Sequence, residues 1–306
     1  MLPVAQIPKL QQAVLQWYHQ HRRELWWRQQ PTPYVVLVSE MMLQQTQVSK
    51  VAPKLKQFLQ QFPSFEALAA APLEAVLRAW QGLGYNRRAV YLWRIARIVQ
   101  EQYGGKLPGD RSLLLQLPGV GEYTAAALRV FAFGLPDVIL DTNIKRIISR
   151  LFFTLRYRNE VMPVSMLRGK AAKIQPERDL RQWYYALMDL GSLVCRSTVA
   201  HCDQCPLQPW CVNAGRVNDL PVYRQRRQEP TFQGLPRRIW RGRIVELLRQ
   251  HSGLSIEQIL RHLQLCSEDG ARSWVEAVLQ QLEREQLVAV RINSSGSSVY
   301  VLGQGE

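Results

Sequence analysis

The chain has 306 residues, 47% hydrophobic and 21% charged, enough to bury a core and to fill two domains, three at most. No run reaches the roughly 18 uninterrupted apolar residues that span a bilayer, so a membrane protein is not expected. The formal net charge of +15 points to a polyanionic partner, with nucleic acid the first choice and a basic surface kept for solubility the plainer alternative.

The N-terminus carries no basic segment followed by an apolar stretch and a small-residue cleavage site, so it does not read as a signal peptide. It reads as an amphipathic helix with Leu10, Val14 and Trp17 on one side. A cytoplasmic setting with reduced thiols is expected. Residues 1–220 are nearly all helical in period, broken by PTPY at 31–34, FPSF at 62–65, APLE at 71–74, GLGYNRR at 82–88, LPGD at 107–110, LPGVGEY at 117–123 and GLPD at 134–137. In WWRQQPTPYVVLVSEMMLQQTQV, residues 26–48, one acid, Glu40, stands among Val36, Val38, Met41 and Leu43. Such a setting raises a carboxyl pKa and makes the group a proton donor, although a lone glutamate more often sits on a solvated helix face. In LPGVG, Gly119 and Gly121 allow a tight turn with positive φ, and their bare backbone can approach a phosphate at the start of the next helix. A plain loop between helices has the same composition. Asp141 follows about twenty residues on, placed to cap the helix NIKRIISRLF.

Four of the five cysteines fall in CRSTVAHCDQCPLQPWC: Cys195, Cys202, Cys205 and Cys211. An odd total without an export signal argues against disulfides. The spacing suits either tetrahedral Zn²⁺ or an iron–sulfur cluster. Arg196 and His201 in the same loop could lie on a DNA phosphate. Residues 221–240 shift to Arg, Gln and Pro and read as a linker. Residues 241–306 read as three helices and a hairpin, the second helix opened by a capping box of Ser255 and Gln258. That order resembles a winged-helix domain. Glu276, Glu283 and Glu285 on its third helix disfavour major-groove reading, so it is expected to be a docking or non-specific DNA element. Trp274 is expected in its core, and Cys266 as a buried small hydrophobe.

Taken together, LPGVGEYTAAAL, the aspartate of DVILDTNIKRIISRLF and the cysteine loop resemble the HhH-GPD superfamily of DNA glycosylases, and WWRQQPTPYVVLVSEMMLQQTQV resembles its MutY-type adenine glycosylases. The match covers roughly residues 10–222. The resemblance implies a mainly α fold: a helix-hairpin-helix glycosylase of two helical lobes, residues 28–136 and residues 1–27 with 137–220. A [4Fe–4S] cluster on the four cysteines is implied in the second lobe, ahead of the linker and the small C-terminal unit. It implies that Glu40 protonates the departing adenine and then activates water. Asp141 would stabilise the oxocarbenium-like sugar, and Asn143 would stand in the pocket. Arg28, Gln44, Gln45, Tyr85, Gly119, Gly121 and Lys145 would touch DNA, with a glutamine filling the gap left by the flipped base and Tyr85 wedging into the duplex. Tyr123 stands where glycosylase/lyases carry a Schiff-base lysine, which implies a monofunctional enzyme that leaves an abasic site.

The chain departs from the family where the usual Asp-Gly-Asn reads Asp141-Thr142-Asn143, and where Tyr-Tyr-Ala-Arg reads Tyr85-Asn86-Arg87-Arg88. The Nudix-like domain that many members carry is also replaced by the shorter C-terminal unit. The expected substrate is double-stranded DNA with adenine mispaired with 8-oxoguanine or guanine, bound by a monomer. A thymine or uracil mismatch glycosylase of the same superfamily is the alternative, because Tyr123 fits both. A binding module without catalysis is disfavoured, since Glu40 and Asp141 would each repel phosphate to no purpose.

Overall fold

The computed structural model describes residues 2–223, 229–251, 253–265, 269–294 and 296–303. Cys266 lies outside the described residues. Among the described residues eleven α-helices come first: α1 (Ile7–His21), α2 (Pro33–Leu43), α3 (Val48–Gln61), α4 (Phe65–Ala70), α5 (Leu73–Ala79), α6 (Arg87–Tyr103), α7 (Arg111–Gln116), α8 (Glu122–Ala127), α9 (Thr142–Phe152), α10 (Val164–Ile174) and α11 (Leu180–Leu193). A two-residue ribbon, β1 (Thr231–Phe232) with β2 (Leu235–Pro236), precedes α12 (Arg237–Gln250), α13 (Ile256–His262) and α14 (Ala271–Arg284). The antiparallel pair β3 (Val288–Ile292) and β4 (Ser298–Leu302) completes the order. None of the described helices is long and apolar enough to cross a membrane. The chain forms two compact units: residues 1–36, 109–115 and 120–226, and residues 37–108, 116–119 and 227–306.

The first unit is built on α11, buried from Trp183 through Gly191 and therefore apolar on every side, as a central helix must be. α1 packs against it through Leu10, Val14 and Trp17, and α9 through Ile144, Ile147, Ile148 and Leu151, an i, i+3, i+4, i+7 stripe. One charge interrupts this core. Asp189 is fully buried and is met by Arg23 at 2.7 Å through Nε and by Arg28 Nη1 at 3.0 Å. The Arg28 guanidinium also stacks on Tyr185, 4.3 Å from the ring centroid. The expected DNA contact of Arg28 gives way to this buried pairing, because a guanidinium held by a buried carboxylate and a ring face is committed to the core.

In the second unit α6 carries the core, with α4 and α5 laid against it. Ser64 caps α4 by accepting from the Ala67 N–H at 3.1 Å. α3 contributes Val51, Leu55 and Phe58, and Phe58 meets fully buried Trp80 edge to face. The segment expected as a linker, 221–240, holds more than its composition suggests: β1, β2 and the first turn of α12 lie in it. Trp240 explains this, since its buried indole donates to the Phe232 carbonyl at 2.9 Å and ties the ribbon to the helix. Trp274 is half-buried and stacks on Phe232. The capping box of Ser255 and Gln258 forms at the start of α13. α12 docks on the α5–α6 corner through Arg249, which is buried and donates to the Leu77 carbonyl at 3.1 Å and to Asn86 Oδ1 at 2.8 Å.

Asp189→Asn removes the counter-charge of two guanidiniums in the first unit. A loss of about 3–5 kcal/mol is expected, read as a lower midpoint in urea unfolding.

Candidate active site

Asp141 caps α9 from an extended backbone, its Oδ1 accepting from the Ile144 N–H at 2.6 Å. Its Oδ2 accepts from Asn143 Nδ2 at 3.2 Å. Asn143 is itself fixed, because its Oδ1 accepts from Arg146 Nη2 at 2.7 Å. Arg146 also donates to the Gly191 carbonyl at 2.7 Å and to the Cys195 carbonyl at 2.8 Å. One hydrogen-bonded chain therefore runs from the cysteine loop through Arg146 and Asn143 to the Asp141 carboxyl. Burial raises the Asp141 pKa above the ordinary carboxylate range, against the lowering pull of the Ile144 N–H, Asn143 and Arg146. A carboxylate so placed lacks full solvation and gains from an adjacent positive charge. Lys145 is half-buried in the first turn of the same helix.

The four cysteines line one cavity of about 30 Å³, together with Arg150, His201, Gln208, Asn213 and apolar residues. Arg150 Nη1 lies 3.3 Å from Cys195 Sγ, and Cys211 Sγ lies 3.3 Å from the Arg150 carbonyl. Burial pushes the Cys205 thiol up to about 12 and that of Cys211 up to about 11. These two stay protonated at neutral pH unless a metal supplies the compensating charge. Arg196 is exposed and its Nε donates to the Leu193 carbonyl at 3.1 Å.

In the second unit, Glu40 is 7% exposed on α2, beside Val38, Met41 and Met42, which are essentially inaccessible. The segment that follows turns sharply: Gln45 takes φ +56° and is exposed, and Tyr85 takes φ +45° with 55% of its surface open. Positive φ at bulky residues is costly and persists only where neighbours impose it. Here the neighbour is Arg88. It is 5% exposed, and its Nη1 donates to the carbonyls of Met41 at 2.8 Å, Met42 at 2.7 Å and Gln44 at 2.6 Å. Its Nη2 donates to Thr46 Oγ1 at 3.0 Å, the Leu83 carbonyl at 3.1 Å and the Gly84 carbonyl at 2.9 Å. One guanidinium thus caps the end of α2 and ties the Gln44–Gln45 turn to the Tyr85 loop. Burial lowers its pKa to about 10, which leaves it charged at neutral pH.

The hairpin departs from expectation at one glycine. Gly119 has φ +76°, and a Cβ there would stand 2.4 Å from Tyr91 Cδ2, so glycine is required twice over. Gly121 is extended, with φ −100° and ψ −176°, a conformation open to any residue, and a Cβ there would meet nothing within 4 Å. Its bareness leaves the start of α8 uncovered and does not serve the turn. Tyr123 follows, half-buried in the first turn of α8.

Arg88, Arg146, Arg150 and Gly191 carry the site's geometry; the sequence names Arg88 only as the last position of the Tyr85 motif, without a role, and singles out none of the others. An arginine inside an otherwise apolar helical face is the signal that could have found the first three. Gly191 has none, since its reason is tertiary: a Cβ would stand 2.5 Å from Asn143 Cβ.

Two substitutions test these supports. Gly191→Ala is expected to cost about 1–3 kcal/mol by overpacking against Asn143, read as a lower midpoint in urea unfolding. Arg88→Leu leaves buried carbonyls without donors and is expected to cost about 3 kcal/mol or more in thermal or urea unfolding.

Residues 38–163 match the family model described as "HhH-GPD superfamily base excision DNA repair protein". The chain is 36% identical over 241 residues to the adenine DNA glycosylase of Mycolicibacterium smegmatis, an alignment covering 77% of this chain and 79% of that one. It is 36% identical over 201 residues to the adenine DNA glycosylase of Buchnera aphidicola subsp. Baizongia pistaciae, covering 65% of this chain and 57% of that one, so it spans little more than half of that relative's length. Among solved structures, a thermostable thymine-DNA glycosylase superposes with TM-score 0.63 at 30% identity, over 68% of this chain and 96% of that one. With its helical units, its LPGVG hairpin and these relatives, the chain belongs to the HhH-GPD superfamily of base excision DNA repair proteins.

Proposed function

We propose that the protein is a monofunctional adenine DNA glycosylase acting on adenine mispaired with guanine or 8-oxoguanine in double-stranded DNA. The observation that carries this reading is Glu40, a carboxyl buried on a helix whose other side chains are apolar apart from Tyr34 and Ser39. Adenine needs a proton on its ring before it can leave, and Glu40 is the acid we assign to give it. Glu40 donates that proton and the N-glycosidic bond breaks with both electrons going to the base. The sugar is left with oxocarbenium character beside the Asp141 carboxylate. Water then adds to the sugar carbon and gives its proton to Glu40, which restores the acid. Asn143 holds the Asp141 carboxyl in place. Tyr123 offers no amine to form a Schiff base, so the product is an abasic site and the strand stays intact. Gln44, Gln45 and Tyr85 meet the duplex at the flipped base, while Gly119, Gly121 and Lys145 lie along phosphates. In this reading residues 28–136 act as the lobe of the acid, and residues 1–27 with 137–220 as the lobe of the aspartate and the cysteines. That two of these relatives are adenine DNA glycosylases supports the adenine reading. The thymine-DNA glycosylase neighbour is the reason to test pyrimidine mismatches as well.

We assign a [4Fe–4S] cluster to Cys195, Cys202, Cys205 and Cys211. All four cysteines border one cavity, at the C-x6-C-x2-C-x5-C spacing on which the resemblance to the family's cluster loop rests. Arg150, with Nη1 3.3 Å from Cys195 Sγ, suits a thiolate there. When bound, such a group supplies the positive charge that keeps Cys205 and Cys211 deprotonated and fixes the loop that Arg146 grips.

Asp141→Asn is expected to abolish excision while gel-shift affinity for the mispaired duplex survives; loss of binding as well contradicts a catalytic role. Asparagine caps a helix as well as aspartate does, so the cap is kept. Because Asp141 has a raised pKa in the fold, the native state holds more protons than the unfolded state above the ordinary carboxylate range. Its ionisation therefore lowers stability as pH rises through that window, and the loss persists above it. The Asn variant is accordingly expected to melt higher than wild type at neutral pH. Purified protein is expected to be brown and to contain iron, and a colourless, zinc-loaded preparation contradicts the cluster assignment.

A further inference from the structure

A groove of about 720 Å³ runs between the Gln45 and Tyr85 turns and the C-terminal helices α12 and α14. Its charged lining is Arg87, Arg88, Arg238 and Arg241 against the one acid Glu285. Arg238 and Arg241 are three apart on α12 and so share a face. Arg238 keeps 60% of its side chain open beside Glu229. Arg241 pairs with Glu285 through Nη2, while its Nη1 is buried without a hydrogen-bond partner. Between them and Val245, Gly242 leaves a bare patch on the helix. A Cβ there would meet nothing within 4 Å, so packing within the chain does not require glycine. Glycine inside a helix costs about 1 kcal/mol relative to alanine, and a reason for it is close approach of something outside the chain.

We propose that this groove takes the sugar-phosphate backbone of the DNA strand opposite the excised base, with Arg238 and Arg241 on phosphates and Gly242 giving the strand room. The strand assignment rests on the glycosylase reading above. A side chain filling the gap left by a flipped base abuts that base's former partner, so the groove that begins at Gln45 and Tyr85 continues along the partner's strand. The two residues at which the Tyr85 loop departs from its family both take up this unit or its groove. Asn86 accepts from Arg249 of α12, and Arg87, lying over Tyr91 at 5.0 Å, lines the groove. The C-terminal unit is then a strand clamp that reads backbone and not sequence, in keeping with its acidic third helix.

The test is binding of the full-length protein to a duplex carrying a non-hydrolysable fluorinated deoxyadenosine opposite guanine, across a salt series and with strand-resolved hydroxyl-radical footprints. The double variant Arg238→Ala/Arg241→Ala is expected to lower the slope of log affinity against log salt by about 2, one for each lost phosphate contact. Protection is expected to fall only on the strand opposite the analogue. Gly242→Leu leaves the charge unchanged and is expected to weaken binding with the slope kept. Arg272→Ala, which removes an exposed charge from α14 outside the groove, is the control and is expected to change neither. Wild-type slope and footprint in folded double and Gly242→Leu variants overturn the proposal, as does protection lost equally from both strands. Adenine release by the unmodified protein from a hydrolysable duplex is scored separately. A protein that binds in this way but releases no adenine sinks the glycosylase reading and leaves the groove standing.

Discussion

The second unit depends on one buried guanidinium. Arg88 donates to five main-chain carbonyls and one hydroxyl between Met41 and Gly84, groups that the end of a helix and two tight turns leave without intrahelical donors. No apolar residue could satisfy them, and lysine, with three donors on a point charge, could not reach them in this planar fan. The same set of bonds holds Gln45 and Tyr85 in conformations that bulky residues avoid. The exposed side chains proposed to enter DNA are thus mounted on a rigid base, which is what insertion into a base stack demands.

The first unit meets an analogous demand with a different device. In the proposed mechanism Asp141 must stay charged in a poorly solvated position, and the fold opposes that with burial and supports it with a helix N-terminus and a fixed amide. Enzymes that tune a carboxyl through its surroundings carry the same tension: stability is given up locally so that a charge stands ready for the transition state. Arg146 binds this arrangement to the backbone of Cys195, and Gly191 lets α9 and α11 approach closely enough for it. The cysteine loop therefore shapes the support of Asp141.

Much of this was legible in the sequence. The helical periods, the capping box at Ser255, the Asp141 cap and the cysteine spacing are local signals with local causes, and the structure forms each of those caps and helices. Long-range causes were not legible. Arg28 reads as a surface cation until Asp189, more than 160 residues away, is seen buried beside it. Gly121 looks equivalent to Gly119 in LPGVG, yet only Gly119 takes a left-handed backbone. The run 221–240 looks like a linker by composition, and Trp240 overrides that by anchoring a small ribbon to α12. The groove beside Tyr85 could not be anticipated, because it exists only once α12 is docked through Arg249.

The most direct measurement is single-turnover base release from duplexes carrying A opposite 8-oxoguanine, A opposite G, T opposite G, U opposite G, and A opposite T, each analysed with and without alkali. Release from the first two duplexes only, with strand breakage appearing only after alkali, is the predicted result. Release confined to T and U opposite G would contradict the adenine reading and leave the buried Glu40 without the role assigned to it.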